Sequence, residues 1–431
     1  MGCACFLLLL TLVNEGHSRQ DEVPSASCAA SRSPGCDKGL SMLAQRHRVT
    51  KKDLLEKVTL ATSTHTLYYA PDFPDVGDMT KVTTEEVPAW TLENDRGVRV
   101  KVMRKGGNLV ELSKDGHPYV WDNTKGAIYY GVNSSTFPLT RGLYINGGVR
   151  FAAVTPEHGL YYDTLWDVTF EQSEEEQSRS IILSITDSSE QRQKLNDTLS
   201  QGGYSLPDGA PMSAYPVTNL VFRFWITLRA GEDYVRLRAE VINPTAADAK
   251  GAAWMPMTFP IDEDSQIITP QVYRFKSDEW CYRDLPKIFR WDSRTELARP
   301  AQWKEMCIFY DYPQLLGGYH AVQIQPTSQG KGTAYVTLNS STGLHFTKMW
   351  SWGKNQAPIW KDYYEPWESA FNSHFWQTFE FPAKTQHFFD IALVPIPGGL
   401  TGADQPTLQQ QVSDHLVGLG FGFDKGCSTL N

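Results

Sequence analysis

The sequence predicts an all-β protein, a large β-sandwich with a short helix near the C-terminus. Three observations carry this. From about Val58 onward, short runs of β-branched and aromatic residues alternate with turn residues. Amphipathic helical periodicity is weak nearly everywhere, and only TLQQQVSDHLVGLG near the end has it. No internal repeat marks propeller blades or solenoid units.

The elements follow in order. The run VRVKVMRKGGNLVEL alternates through Val98, Val100 and Val102, turns at Lys-Gly-Gly-Asn, and resumes with Leu109, Val110 and Leu112, which predicts a hairpin. Between residues 217 and 244 the form returns around an Ala-Gly-Glu-Asp turn, with arms long enough for a large sheet. Residues 173–208 are polar and turn-rich around the strand-like piece SIILSIT, which predicts an exposed insertion. No GxGxxG or phosphate loop occurs, so cofactor-binding βαβ units are not expected.

At the N-terminus the apolar run from Ala4 to Val13 has the length of a signal-peptide core and is too short to span a bilayer. The expected organisation is a signal peptide over 1–18, a loose leader over 19–48, a β-sandwich domain over 49–398 and a C-terminal tail with the short helix over 399–431. Secretion is the expected fate, with no membrane association after cleavage. Cys28, Cys36, Cys281, Cys307 and Cys427 would remain, and spacing leaves their pairing open. Sequons at Asn133, Asn196 and Asn339 agree with secretion. The formal charge of −9 is spread without a basic patch of the kind that nucleic-acid binding needs, so a neutral ligand fits better than a polyanion.

Chemistry concentrates in two stretches. Residues 348–377 hold Trp350, Trp352, Trp360, Trp367 and Trp376 with Tyr363, Tyr364, Glu365, Glu368 and His374. Flat aromatic rings offer apolar faces to the C–H faces of sugars, while carboxylates bind hydroxyls, so the cluster suits a carbohydrate cleft. A glutamate among aromatics also loses hydration, which raises its pKa toward the range of a general acid or base. The second stretch, RGLYINGGVRFAAVTPEHGL over 141–160, sets Arg141, Asn146, Arg150 and His158 in an otherwise apolar segment. Gly147 and Gly148 there are expected to serve a turn or bulge. His158 follows a Pro-Glu turn, a loop setting from which an imidazole can reach a cleft, with Asp163 or Asp167 near enough in sequence to orient it. His320 is a further candidate. No metal-ligand spacing, redox-cofactor motif or nucleophile elbow stands beside these residues.

Four blocks together resemble the galactose-mutarotase-like (aldose 1-epimerase-like) superfamily, and within it an uncharacterised branch found with tetratricopeptide-repeat proteins in bacteria. They are TLENDRGVRVKVMRKGGNLVELSKDG, RGLYINGGVRFAAVTPEHGLYYDTLWDV, TKMWSWG and YYEPWESAFNSHFWQTFEFPAKTQHFFDIALVPI, in that order. The resemblance implies a β-supersandwich with a sugar-binding cleft and no cofactor. It places Glu365 as the general base on an anomeric hydroxyl and His158 as the acid on the ring oxygen, with Arg141, Asn146, Arg150, Trp350, Trp352, Trp367, Tyr364, Glu368 and His320 around the sugar. The superfamily includes glycoside hydrolase and polysaccharide lyase domains, so hydrolysis, elimination and sugar binding without catalysis stay open beside isomerisation. Two positions depart from the branch. Asn108 stands where its first hairpin has Gly-Gly-Arg, and Arg150 stands where an acid follows its second Gly-Gly.

Overall fold

The computed structural model describes residues 57–69, 80, 83–120, 128–130, 142–144, 147–153, 160–202, 216–251, 253–260, 266–268, 272–274, 290–292, 305–311, 322–325, 330–340, 346–352, 369–376, 380–401 and 404–421. In chain order the strands begin with β1 (Val58–Tyr69), β2 (Thr83–Asn94), β3 (Val98–Met103), β4 (Asn108–Lys114), β5 (His117–Pro118), β6 (Ile128–Tyr130), β7 (Gly142–Tyr144), β8 (Val149–Arg150) and β9 (Ala152–Ala153). There follow β10 (Asp167–Ser173), β11 (Ser178–Thr186), helix α1 (Ser189–Gly202), β12 (Val221–Arg229), β13 (Val235–Ile242), β14 (Ala249–Lys250), β15 (Ala253–Pro260), β16 (Gln266–Ile268), β17 (Val272–Arg274) and β18 (Arg290–Asp292). The chain continues through β19 (Glu305–Asp311), β20 (Val322–Gln325), β21 (Lys331–Ser340), β22 (Phe346–Trp352), β23 (Ser369–Trp376), β24 (Glu380–Phe381), β25 (Gln386–Ile396) and helix α2 (Gln405–Gly418).

Two sheets dominate. One has 11 strands along the path β1-β2-β3-β4-β8-β15-β23-β22-β19, with β5 on β4 and β9 on β15; the other has 8 in the order β10-β11-β12-β13-β25-β21-β20-β16. Every pairing in them is antiparallel, so alternate residues of each strand can share one core. In β12, Phe222, Phe224, Ile226 and Leu228 are fully buried while the residues between are half-buried. They meet Val98, Val100, Val102, Leu109, Leu112, Met255, Met257 and Phe259 of the facing sheet in one core. The outer face of the 8-stranded sheet is covered in part by α2, whose Leu408, Val412 and Leu416 join Ile268, Ala334, Val336, Ala392, Val394 and Ile396. Asp404 caps that helix by accepting from Thr407 N at 2.9 Å. On the outer face of the 11-stranded sheet a smaller cluster forms from Leu67, Val87, Met103 and Val110.

Both predicted hairpins are present, as β3–β4 and β12–β13. The described part of the expected insertion, residues 173–202, is not an exposed insertion. It contains β11, which is paired on both sides by β10 and β12 and whose Ile181, Leu183 and Ile185 lie in the main core, and the helix α1. The helix escapes a search for apolar periodicity because it is held by other means. Ser188 caps it through Gln191 N, Glu190–Lys194 and Gln193–Asp197 pair along its side at 2.7 Å each, and Arg192 is anchored on Asp187 below it.

The sheets are fastened at one end by side chains of the β2–β3 turn. Asn94, which is buried, donates through Nδ2 to Arg229 O and Glu232 O at 2.8 Å each, and its Oδ1 accepts from Arg96 N and Val98 N at 3.1 Å. Beside it Arg96 makes a two-toothed pair with Asp233 at 3.1 and 2.9 Å, and Asp95 accepts from Gly231 N at 2.6 Å. Replacing Asn94 by Ala leaves four backbone groups short of partners, so the Asn94→Ala variant should lose about 2–4 kcal/mol of stability by urea unfolding. An unchanged midpoint would show that the fastening is dispensable.

His65 on β1 is buried, and its pKa is pushed down to about 4 by burial first, then by the Lys101 ammonium, against a smaller opposing pull from Glu86. Between the ordinary value of 6.5 and about 4 the unfolded chain therefore binds more protons than the folded one. That contribution to stability is complete above pH 6.5 and is lost as the pH falls toward about 4. The gap corresponds to something on the order of 3 kcal/mol. The His65→Gln variant should accordingly show a flatter stability profile across this window, measured as urea midpoints at intervals of pH.

Candidate functional site

The face of the 11-stranded sheet that turns away from the main core gathers segments far apart in sequence. Val149 of β8 pairs with Leu109 on one side and Met257 on the other, and all three are buried in that core. Alternation then sends the next residue, Arg150, and its cross-strand partner Asn108 to the opposite face. Across β15, β23 and β22 the rows continue as Met257–Asn372–Met349, Thr258–Phe371–Trp350 and Pro260–Ser369–Trp352. The strand carrying Arg150 and the strand carrying Trp350 and Trp352 thus lie in one sheet, separated by β15 and β23.

Of the predicted site residues, Arg150 is fully described, and Trp350 and Trp352 are placed by the backbone of β22. Arg141, Asn146, His158, His320, Tyr364, Glu365, Trp367 and Glu368 lie outside the described residues. Two of these stretches have flanks that meet. Leu160 N donates to Ala153 O at 3.1 Å, which brings together the two residues bounding the His158 stretch. Trp352 pairs with Ser369, which does the same for the stretch holding Tyr364, Glu365, Trp367 and Glu368.

The two positions that differ from the resembled branch are direct cross-strand partners, Asn108 opposite Arg150. Asn108 is buried and donates to Gly147 O at 3.3 Å, and its Oδ1 lies against Gly148, where a Cβ would stand 2.3 Å away. Gly147 and Gly148 both have positive φ, 100° and 73°, as the expected turn or bulge requires. The Arg150 guanidinium sits 5.2 Å from the centre of the Tyr162 ring, a cation–π arrangement that orients a buried cation.

Tyr162 belongs to a strip, residues 160–166, that is tied down along its length. Tyr161 donates through its hydroxyl to Asp187 at 2.5 Å, and Trp166 Nε1 donates to Tyr161 O at 3.1 Å. Gly106 N donates to Thr164 O at 2.9 Å, Trp166 N to Arg104 O at 3.2 Å, and Arg104 Nε to Trp166 O at 2.7 Å. Asp163 binds Lys105 Nζ at 2.7 Å, the same ammonium that holds Glu85 at 2.7 Å and Tyr69 at 2.8 Å. Three acceptors use the three ammonium protons, so this cluster is a fastening. Asp163 is therefore engaged with Lys105, and Asp167 is exposed at the start of β10.

The cluster divides its charges unevenly. Burial raises the Asp163 pKa above the usual carboxylate value, and Lys105 offsets only part of that. For Glu85, burial also pulls upward, but the bonds from Lys105 and Tyr69 outweigh it and hold its pKa low. For Lys105 itself burial pulls downward, and the two carboxylates reverse the balance and raise it. On the inner side, Asp187 is fully buried, and burial would raise its pKa; Arg192, Tyr161 and Thr218 outweigh that and keep it low. Most of these partners join positions distant along the chain and so escape sequence reasoning; Arg192, five residues from Asp187, is the local one. Among the described residues no group of three or more His, Cys, Asp or Glu is placed to hold a metal ion, and no helix is long and apolar enough to cross a membrane.

No family model and no curated protein matches the sequence. Solved structures do match in shape. A TPR-domain containing protein from Parabacteroides distasonis superposes with a TM-score of 0.56 and 10% identity over 80% of this chain and 56% of its own, so the chain spans a little over half of that protein. A galactose mutarotase-like protein from Clostridium acetobutylicum superposes with a TM-score of 0.50 and 10% identity over 79% of this chain and 99% of its own. The likeness expected from the four sequence blocks is thus met at the level of architecture: the chain has the galactose mutarotase-like β-sandwich fold, with a short C-terminal helix.

Proposed function

We propose that the chain is a secreted carbohydrate-active protein that binds a sugar over the outer face of the 11-stranded sheet and interconverts its anomers. Glu365 takes the proton from the anomeric hydroxyl while His158 protonates the ring oxygen, the C1–O5 bond breaks, and the open-chain aldehyde recloses on its other face. A carboxylate and an imidazole suit these roles because one must be ionised and the other must carry a proton near neutral pH. Trp350, Trp352, Trp367 and Tyr364 supply apolar surface for the sugar's C–H faces, and Arg141, Asn146, Glu368 and His320 its hydroxyl contacts. The observation that carries this reading is the register that puts β8 and β22 into one sheet of mutarotase-like architecture.

A second reading follows from the Asn108–Arg150 pair. A cation where the resembled branch has an acid favours an acidic glycan, cut by hydrolysis or elimination. Polarimetry with a panel of free aldoses and uronic acids, followed by a reducing-end and unsaturated-product assay on glycans, separates the two. The Glu365→Gln variant should lose activity about 10²–10⁴-fold while retaining fold and sugar binding. Full activity in that variant would remove Glu365 from the mechanism. Sugar binding without turnover in wild type, abolished by Trp350→Ala, would make the protein a lectin-like binder instead.

A further inference from the structure

Strand β10 ends the 8-stranded sheet on one side: among the described residues its one neighbour is β11. Five of its seven residues are exposed and the other two half-buried. Phe170 is 45% exposed even though its ring meets Trp90 edge-on at 5.7 Å. The exposed charges along the edge and its turn are all acidic: Asp167, Glu171, Glu174, Glu175 and Glu176. An edge strand with a partly bare aromatic invites another strand, and carboxylates in register repel a second copy of the same edge.

The chain carries a segment of matching chemistry. Residues 46–52 read Arg-His-Arg-Val-Thr-Lys-Lys, a short local basic run within the otherwise mixed charge, with four fixed cations around a β-branched pair. Period-two alternation sets Arg46, Arg48 and Lys52 on one side and Val49 on the other, matching Glu171 on one face of β10 and Phe170 on the other. The chain also enters the sandwich at the right end. Val58 pairs with Asn94, Asn94 bonds to Arg229 O, and the Arg229 side chain pairs with Glu176 of the acidic turn at 2.5 Å. Residues 53–57 alone can bridge about 20 Å between Lys52 and Val58.

We propose that residues 46–52 dock on β10 as an added strand of the 8-stranded sheet, with Val49 over Phe170 and the cations against Glu171 and the 174–176 turn. The test is amide hydrogen exchange on the full chain, comparing wild type with R46E/R48E/K51E/K52E, with E171K/E175K, and with the two sets combined. The β10 amides should exchange about tenfold or more faster in either single set and return toward wild type in the combination, while β13 amides stay unchanged as the control on folding. Wild-type β10 should also lose protection at roughly 1 M salt, where charges are screened beyond about 3 Å. Equal β10 exchange in wild type and the 46–52 variant would overturn the proposal. So would failure of the combined variant to restore protection, or protection that depends on protein concentration, which would assign the edge to a second copy.

Discussion

A Cβ at Gly106 would stand 2.5 Å from the carbonyl oxygen of Tyr162, and one at Gly107 would stand 2.7 Å from the indole of Trp166. Both glycines have positive φ, 68° and 56°. Only hydrogen fits there, in a backbone conformation that other residues adopt at a cost. That close approach lets residues 160–166 lie on the β3–β4 turn, and the strip then reaches both sheets. Tyr161 points to Asp187 beside β11 and β12, Tyr162 lies under Arg150 on the outer face, and Asp163 reaches Lys105. A side chain at either glycine would displace the strip and with it all three anchors.

The anchors differ in what they contribute. Asp187 accepts from Tyr161, Arg192, Thr218 N and the Thr218 hydroxyl, so its buried charge is fully compensated. Losing one partner there would leave an uncompensated group in the interior, which is far more destabilising than losing an exposed pair. Lys105 and its acceptors lie nearer the surface, with Glu85 44% exposed, and water shares the work of stabilising them. The strip is thus held hard on its inner side and more softly on the face proposed to meet sugar.

How much of this was legible in the sequence depends on the range of each interaction. The β3–β4 and β12–β13 hairpins could be read because alternation and turn residues sit within a few positions of one another. Gly147 and Gly148 were legible as backbone residues for the same reason. Helix α1 was not, since its apolar side is thin and a buried Arg192–Asp187 pair replaces it. The Lys105 cluster was hidden because its members come from β1, β2, the β3–β4 turn and the strip, which only the sheet order brings together. Arg150 was singled out as an anomaly, but that its partner is the other anomalous residue, Asn108, needed the register. The two residues therefore form one spot in the sheet rather than two scattered positions.

The same register constrains where an acid–base pair can operate. The residues bounding the His158 stretch sit at the Ala253 end of β15, through Ala153–Ala253, and those bounding the Glu365 stretch sit at its Pro260 end, through Ser369–Pro260. Those ends are seven residues apart, roughly 24 Å along an extended strand. Glu365 precedes Ser369 by four residues and His158 precedes Leu160 by two, which gives backbone reaches of about 14 Å and about 7 Å. Together these fall just short of the strand length, and the two side chains must close the remainder. One sugar ring can therefore touch both groups only if each stretch runs inward over the sheet, and the meeting ground is then the middle of β15. Arg150 stands there, one residue beyond the Val149–Met257 pair, in the cross-strand row that runs through Pro256 and Ser373 to Lys348. A ligand bound there under the proposed reading would lie over the row that holds Arg150, whose guanidinium is buried against the Tyr162 ring.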